Sequence, residues 1–74
     1  MAAVLHLVKG GDPALPLATI AGQLAAGDHV TVALLPGTAS LETPPGVRLL
    51  RVPGELGWDG LLDLVFGADH VVTW

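Results

Sequence analysis

The order of apolar and polar residues divides the chain into alternating strands and helices. Nearly continuous apolar runs at Val4–Val8 and His29–Leu35 flank an Ala- and Leu-rich segment that ends near Ala26, and Gly and Asp residues join the three parts. This order is typical of a β-α-β crossover. A strand with so few polar positions is covered on both faces, as strands of parallel sheets are. We therefore predict two parallel strands joined by a helix.

The first helix has clear start and stop signals. Asp12 is a natural N-cap and Pro13 suits the first helical position, whose N–H has no partner inside a helix. Gly27 suits the position just after the helix. The apolar stripe expected to face the sheet has the spacing i, i+3, i+4, i+7 and comprises Leu17, Ile20, Ala21 and Leu24.

The rest of that helix is also largely apolar, with Thr19 and Gln23 as its solvent-facing polar residues. A helix that is apolar nearly all round is usually buried on more than one side. Small side chains at Ala14, Ala18 and Ala25 would let a second helix approach closely. We predict that these alanines form part of a subunit interface.

The second half of the chain repeats the pattern on a smaller scale. The connector Thr38–Gly46 contains two prolines and no helical stripe, so we predict a loop there. A third strand follows at Val47–Val52, with Arg48 and Arg51 on opposite faces. A second helix runs from Gly57 or Trp58 to Phe66, with one face formed by Trp58, Leu61, Leu62 and Val65 and the other by Asp59 and Asp63. A last strand covers Val71–Trp74.

Residues 1–74 are therefore predicted to form one α/β domain, a small doubly wound, mostly parallel four-stranded sheet with the order βαββαβ. Right-handed crossovers and a predicted strand order of 2-1-3-4 place helices on both faces of the sheet. The helix-free connector would then leave about half of each face uncovered, and a partner would have to cover it.

Composition also favours assembly with another chain. Of the 74 residues, 51% are hydrophobic and 14% are charged. In a typical soluble domain about a quarter of the residues are charged. The chain has no cysteine, and its three histidines lack metal-binding spacing. Disulfides, thiolate metal sites and thiol chemistry are thereby excluded, and no cofactor is predicted. Small domains without such supports are commonly stabilised by oligomerisation.

Charge and hydropathy argue against direct nucleic-acid binding and against a membrane span. The net charge is −4 with only three Lys and Arg residues, too few to bind nucleic acid directly. No apolar run reaches the roughly 18 residues of a membrane span, and the N-terminus lacks a basic flank and a cleavage site. We expect a soluble cytoplasmic protein.

Three groups of residues are candidates for chemistry. His6 interrupts the first apolar strand; we interpret it as a hydrogen-bonded core histidine, with a catalytic or ligand-binding role as the alternative. The pairs Asp28-His29 and Asp69-His70 each precede a strand, at the end of an α/β sheet away from ligands, so we interpret them as structural. Lys9-Gly10-Gly11 lies between a strand and a helix, where an anion-binding loop would lie. It matches neither common phosphate-loop motif, and Asp12 would repel an anion.

Several features resemble the DsrH/TusB branch of the DsrE-like sulfur-relay proteins. They are an N-terminal Leu-His pair ahead of the first helix, the Gly27-Asp28 pair before the second strand, and a closing segment with Trp58, Leu61-Leu62, Leu64-Val65 and Trp74. The terminal tryptophan at this spacing is the most specific of them. The likeness covers both ends of the chain, and the short connector departs from the pattern.

This resemblance implies a role in a sulfurtransferase assembly. Members form heterohexamers with DsrE/TusD-like and DsrF/TusC-like chains, which pass persulfide sulfur onward for 2-thiolation of the tRNA wobble uridine or serve sulfur oxidation. Because this chain has no cysteine, a partner's cysteine would carry the persulfide. Trp58 and Trp74 are then expected at an interface, and Trp74 is predicted to pack against the sheet or a neighbouring subunit. A phosphate- or nucleotide-binding module using Lys9-Gly10-Gly11 and a homo-oligomeric scaffold are the alternatives.

Overall fold

The computed structural model describes residues 2–12, 14–38 and 41–74 as a four-stranded parallel sheet with two helices. The α/β class is confirmed, and each element lies within one residue of its predicted bounds. Among the described residues, neither helix is long enough to cross a membrane. The elements are β1 (Ala3–Val8), α1 (Ala14–Ala25), β2 (His29–Leu34), β3 (Arg48–Arg51), α2 (Trp58–Gly67) and β4 (His70–Thr73).

The strand order is β3-β2-β1-β4, so the predicted order 2-1-3-4 is wrong about the third strand. β3 pairs with β2, with Val32 opposite Leu49, and β4 pairs with β1. All pairs are parallel. The physical reason lies in Arg48 and Arg51, which are both exposed. Charges on both faces suit an edge strand, and they would be costly in a strand paired on both sides.

The corrected order changes which face the connector covers. The chain moves in one direction from β1 to β2 to β3, so right-handed crossovers place α1 and the connector on the same face. Leu41 and Val47 pack there against the core beside Ile20. The prediction that the connector leaves its part of the sheet bare is therefore wrong on this face. The return to β4 places α2 on the other face.

The core has two parts, one on each face of the sheet. On the α1 side, Ile20 and Val32 are fully buried, and Trp74 packs against them. On the α2 side, Leu5, Ala33, Val52 and Leu61 form the buried group. Alternate residues of β1 and β2 serve the two sides, which explains why both strands are apolar at nearly every position.

Asp12 caps α1 as predicted, because its Oδ1 accepts a hydrogen bond from the backbone N–H of Ala14 at 2.9 Å. Pro13, predicted at the first helical position, lies outside the described residues. Gly27 ends the helix with φ of +87°, the left-handed conformation that favours glycine. Ala21, predicted to face the sheet, is exposed.

The two Asp–His pairs have the structural role predicted for them. Asp28 Oδ1 accepts a hydrogen bond from the backbone N–H of Ala2 at 3.1 Å, and Asp69 Oδ2 accepts one from Ala3 at 2.8 Å. Because β2 and β4 flank β1, these aspartates hold the start of β1 from both sides. His29 and His70 point to the surface.

Replacing Asp28 or Asp69 with Ala should therefore lower the free energy of unfolding by about 1 kcal/mol each. Asn at either position keeps a side-chain oxygen and should cost less than half as much. Urea denaturation of the four variants checks this. Equal losses for Ala and Asn would show that the carboxylates act through charge and not through these hydrogen bonds.

Candidate functional site

His6 lies in the middle of β1 and is fully buried, whereas histidine as a residue type is only intermediate in its tendency to be buried. In the sheet it is flanked by Val32 of β2 and Val72 of β4. Its side chain points to the α1 side, like those of Val4 and Val8 two positions away in the strand. Three separate parts of the chain therefore meet at this imidazole, namely β1, α1 and the residue after β4.

Both ring nitrogens of His6 have partners within the chain. Trp74 Nε1 lies 2.9 Å from His6 Nδ1, and Gln23 Oε1 lies 2.6 Å from His6 Nε2. An indole N–H can only donate, so Nδ1 must accept. We therefore assign the proton to Nε2, which donates to Gln23. The indole and imidazole planes are within 12° of each other, with centroids 6.1 Å apart.

This arrangement holds the imidazole in one neutral tautomer and joins three elements. A general base needs a nitrogen within reach of the substrate proton, and both nitrogens of His6 are engaged inside the protein. The interpretation of His6 as a hydrogen-bonded core histidine is confirmed. The Trp74 side chain packs against the α1-side core as predicted, and its backbone N–H continues the strand pairing by donating to the Leu7 carbonyl at 2.9 Å.

Gln23 is the residue of this site that the sequence interpretation missed, because it was assigned to the solvent-facing side of α1. The structure places it half-buried beneath His6. Its spacing carried a signal: it lies seven residues after Pro16 and three after Ile20, and both are buried. A polar residue in line with such positions on a helix has a polar partner when it is buried.

The Lys9-Gly10-Gly11 loop leaves the carboxyl end of β1 at the surface. Gly10 and Gly11 have φ of +116° and +89°, and no described atom lies within 4 Å of a Cβ built on either. The backbone conformation therefore requires glycine here, whether or not a ligand approaches. Because helices leave β1 and reach β4 on opposite faces, the loop also lies at the switch point where α/β sheets bind ligands. Anion binding by this loop stays a prediction.

Helix α2 carries a row of exposed apolar side chains. Trp58, Leu62 and Phe66 are 54%, 53% and 80% exposed, and we call this row the α2 ridge. The side of α2 that packs on the sheet is formed instead by Leu61, Leu64 and Val65. The prediction that Trp58 and Leu62 share the face of Leu61 and Val65 is therefore wrong.

The predicted interface residues lie on two sides of the molecule. Ala14, Ala18 and Ala25 are exposed on α1, beside the 71% exposed Leu15. Trp58 is on α2, across the sheet from them, and Trp74 is half-buried in the core. Ala14, Ala18, Ala25 and Trp58 can thus reach a partner, whereas most of Trp74 serves the fold. Their role in an interface stays a prediction.

A cavity of about 160 Å³ lies between α2 and the amino-terminal ends of the strands. Its lining includes Gly67 and Ala68, which have little or no side chain, and two residues with polar side chains, Thr31 and Asp63. This end of the sheet is opposite the switch point. Within residues 2–12, 14–38 and 41–74, no three His, Asp or Glu side chains gather closely enough to hold a metal ion.

Fold and site together define a small doubly wound parallel α/β domain whose single buried histidine is locked in the core. In comparisons with known proteins, no family model, curated protein or solved structure matches the chain. Its function therefore has to be inferred from its own residues.

Proposed function

We propose that the chain is a non-catalytic, interface-forming subunit of a cytoplasmic sulfur-relay complex of the DsrE/TusBCD type. The observation that carries the proposal is the α2 ridge, where Trp58, Leu62 and Phe66 are each more than half exposed. Contiguous exposed apolar patches of a few hundred Å² are often functional, and protein–protein contact is one of their common roles. The ridge falls within the closing segment that resembles the DsrH/TusB branch.

The environment of His6 and the absence of cysteine are consistent with a subunit whose partner chain performs the sulfur chemistry. His6 has both nitrogens engaged by Trp74 and Gln23, and the sequence contains no cysteine. Persulfide sulfur would accordingly be held on a cysteine of a TusC/TusD-like partner. This subunit would then position that partner, and contact with tRNA would also pass through it.

Co-expression with cysteine-bearing TusC/TusD-like chains tests the proposal. We expect a complex that contains this chain and a cysteine-bearing partner and that survives size-exclusion chromatography. Two exposed apolar residues on opposite faces provide matched variants, Phe66→Ser on α2 and Leu15→Ser on α1. We expect Phe66→Ser to lower recovery of the partner at least tenfold and Leu15→Ser, which lies beside the predicted interface alanines of α1, to lower it clearly less. A stable monomer that captures no such partner would refute the proposal.

A phosphate- or nucleotide-binding function is the second candidate, and the position of Lys9-Gly10-Gly11 at the switch point favours it. If the loop binds phosphate, replacing Lys9 with Ala should weaken binding of ATP or inorganic phosphate about tenfold, because a charge-assisted contact is lost. Isothermal titration of both forms checks this. No binding, or equal binding in both forms, removes this candidate.

The third candidate function is a homo-oligomeric scaffold with the same fold. Sedimentation of the isolated chain distinguishes it from the sulfur-relay subunit and from the phosphate-binding module. A scaffold sediments as an oligomer of this chain alone. An obligate subunit of a mixed complex gives its full assembly only with the partner present.

A further inference from the structure

The α2 ridge has the geometry of a helix surface that docks on another helix. Its three residues are spaced four apart, and such i±4 rows form continuous ridges that fit the groove of a neighbouring helix. From their exposed fractions, the three side chains present roughly 300–400 Å² of apolar surface. One tryptophan and one phenylalanine stand at its two ends, and aromatic residues commonly dominate binding energy.

A row of carboxylates runs beside the ridge. Asp59 and Asp63 each follow a ridge residue by one position, which rotates them by about 100° around the helix, and both are exposed. Glu55 is exposed in the turn just before α2. Helix α2 contains no basic residue. The apolar row is thus bordered by negative charge.

These charges argue against a second copy of this chain as the occupant. A symmetric pair of α2 helices would bring two acidic rows near each other, and like charges across an interface are unfavourable. The ridge also supplies only about half of the roughly 800 Å² that each partner buries in a standard interface. A smaller element with positive charge fits the surface better.

We propose that the α2 ridge is the docking site for a basic amphipathic helix of a partner protein. Apolar side chains of that helix would pack around Trp58, Leu62 and Phe66, in the manner of helix-in-groove recognition. Its Lys or Arg residues would face Asp59 and Asp63. This inference rests on the proposed function in taking α2 as the interface, and it adds the chemistry of the partner.

The test uses synthetic helices added to the ¹⁵N-labelled chain. The probe is a Leu/Lys peptide with one apolar face. One control keeps that face but replaces Lys with Glu, and a second has the Leu/Lys composition in an order that forms no apolar face. The two indole N–H signals report separately, because Trp58 is on the ridge and Trp74 is bonded to His6. We expect the Leu/Lys helix to shift the Trp58 signal saturably and to leave the Trp74 signal in place.

Three variants locate the binding. Phe66→Ser should weaken it at least tenfold, and Asp59→Asn with Asp63→Asn should weaken it about threefold and reduce its dependence on salt. Leu15→Ser, on the other face of the sheet, should leave it unchanged. All these side chains are exposed, so the variants should keep the wild-type circular dichroism spectrum.

Several results would overturn the inference. They are equal binding of the Leu/Glu or faceless peptide, an unmoved Trp58 signal at about 1 mM peptide, and equal loss with Leu15→Ser. Sedimentation showing a dimer that Phe66→Ser abolishes would identify a second copy as the occupant instead. Peptide binding without capture of a DsrE-like partner would reject the sulfur-relay proposal and leave this inference standing. Capture of that partner without peptide binding would reject this inference and leave the sulfur-relay proposal standing.

Discussion

Replacing Trp74 with Ala should lower the free energy of unfolding by about 3 kcal/mol. The indole packs against the α1-side core and donates to a histidine that is fully buried. We place the loss at the low end for a tryptophan because the side chain is only half-buried. A domain of 74 residues has a total stability of about 4–11 kcal/mol. The variant would therefore lose a large part of it, which urea denaturation would measure.

Trp74→Phe is the matched control, since it keeps an aromatic ring but removes the N–H. It should cost about 1–2 kcal/mol, mostly because His6 Nδ1 is left without a donor in the interior. If Trp74→Ala unfolds at the wild-type urea concentration, the residue contributes nothing to the fold. If Trp74→Phe is as stable as the wild type, the hydrogen bond to His6 has no net value.

The second large effect is expected for His6→Ala, which should also cost about 3 kcal/mol. It would leave a cavity beneath α1 and would remove the group that pairs with both Trp74 and Gln23. His6→Leu fills most of that space without restoring the hydrogen bonds and should cost about 1–2 kcal/mol. The same denaturation measurement checks both variants.

A double-mutant cycle separates the network from simple packing. The losses from His6→Leu and Trp74→Phe should be clearly less than additive when combined, because the first change already removes the shared hydrogen bond. Fully additive losses would show that the two side chains stabilise the fold independently. That outcome would remove the network as the reason for a histidine in this strand.

The element types were predictable because each has a local cause. The apolar runs of β1 and β2, the Asp12 cap and the Gly27 stop together define the first crossover without tertiary information. Strand order was not predicted correctly, because hydrophobic periodicity does not state which strands are neighbours. The opposite faces of Arg48 and Arg51 did contain that information, since such a strand belongs at an edge.

The site was predictable only in part, for a similar reason. A histidine inside an apolar strand must find partners, so the core interpretation of His6 follows from the cost of burying an unpaired polar group. Which groups pair with it depends on how α1 crosses the sheet, and this brings Gln23 to a residue 17 positions away. No local pattern specifies that crossing.

The side of α2 that faces the sheet could also not be predicted from the local sequence pattern. Leu61, Leu62, Leu64, Val65 and Phe66 cover more than half of the helix circumference at about 100° per residue, so more than one orientation buries an apolar face. The structure has one of these orientations, with Leu61 inward and the ridge outward. Sequence periodicity could identify the helix but not the side left for a partner.

Native mass spectrometry of the chain co-expressed with cysteine-bearing TusC/TusD-like chains tests the central claim most directly. A subunit that acts through its surface should be found in a complex with a cysteine-bearing partner, and added persulfide sulfur should increase the mass of the partner only. Phe66→Ser should release this chain from the complex, whereas Leu15→Ser should not. A spectrum that contains only the monomer of this chain, with the partner present but unbound, would contradict the account.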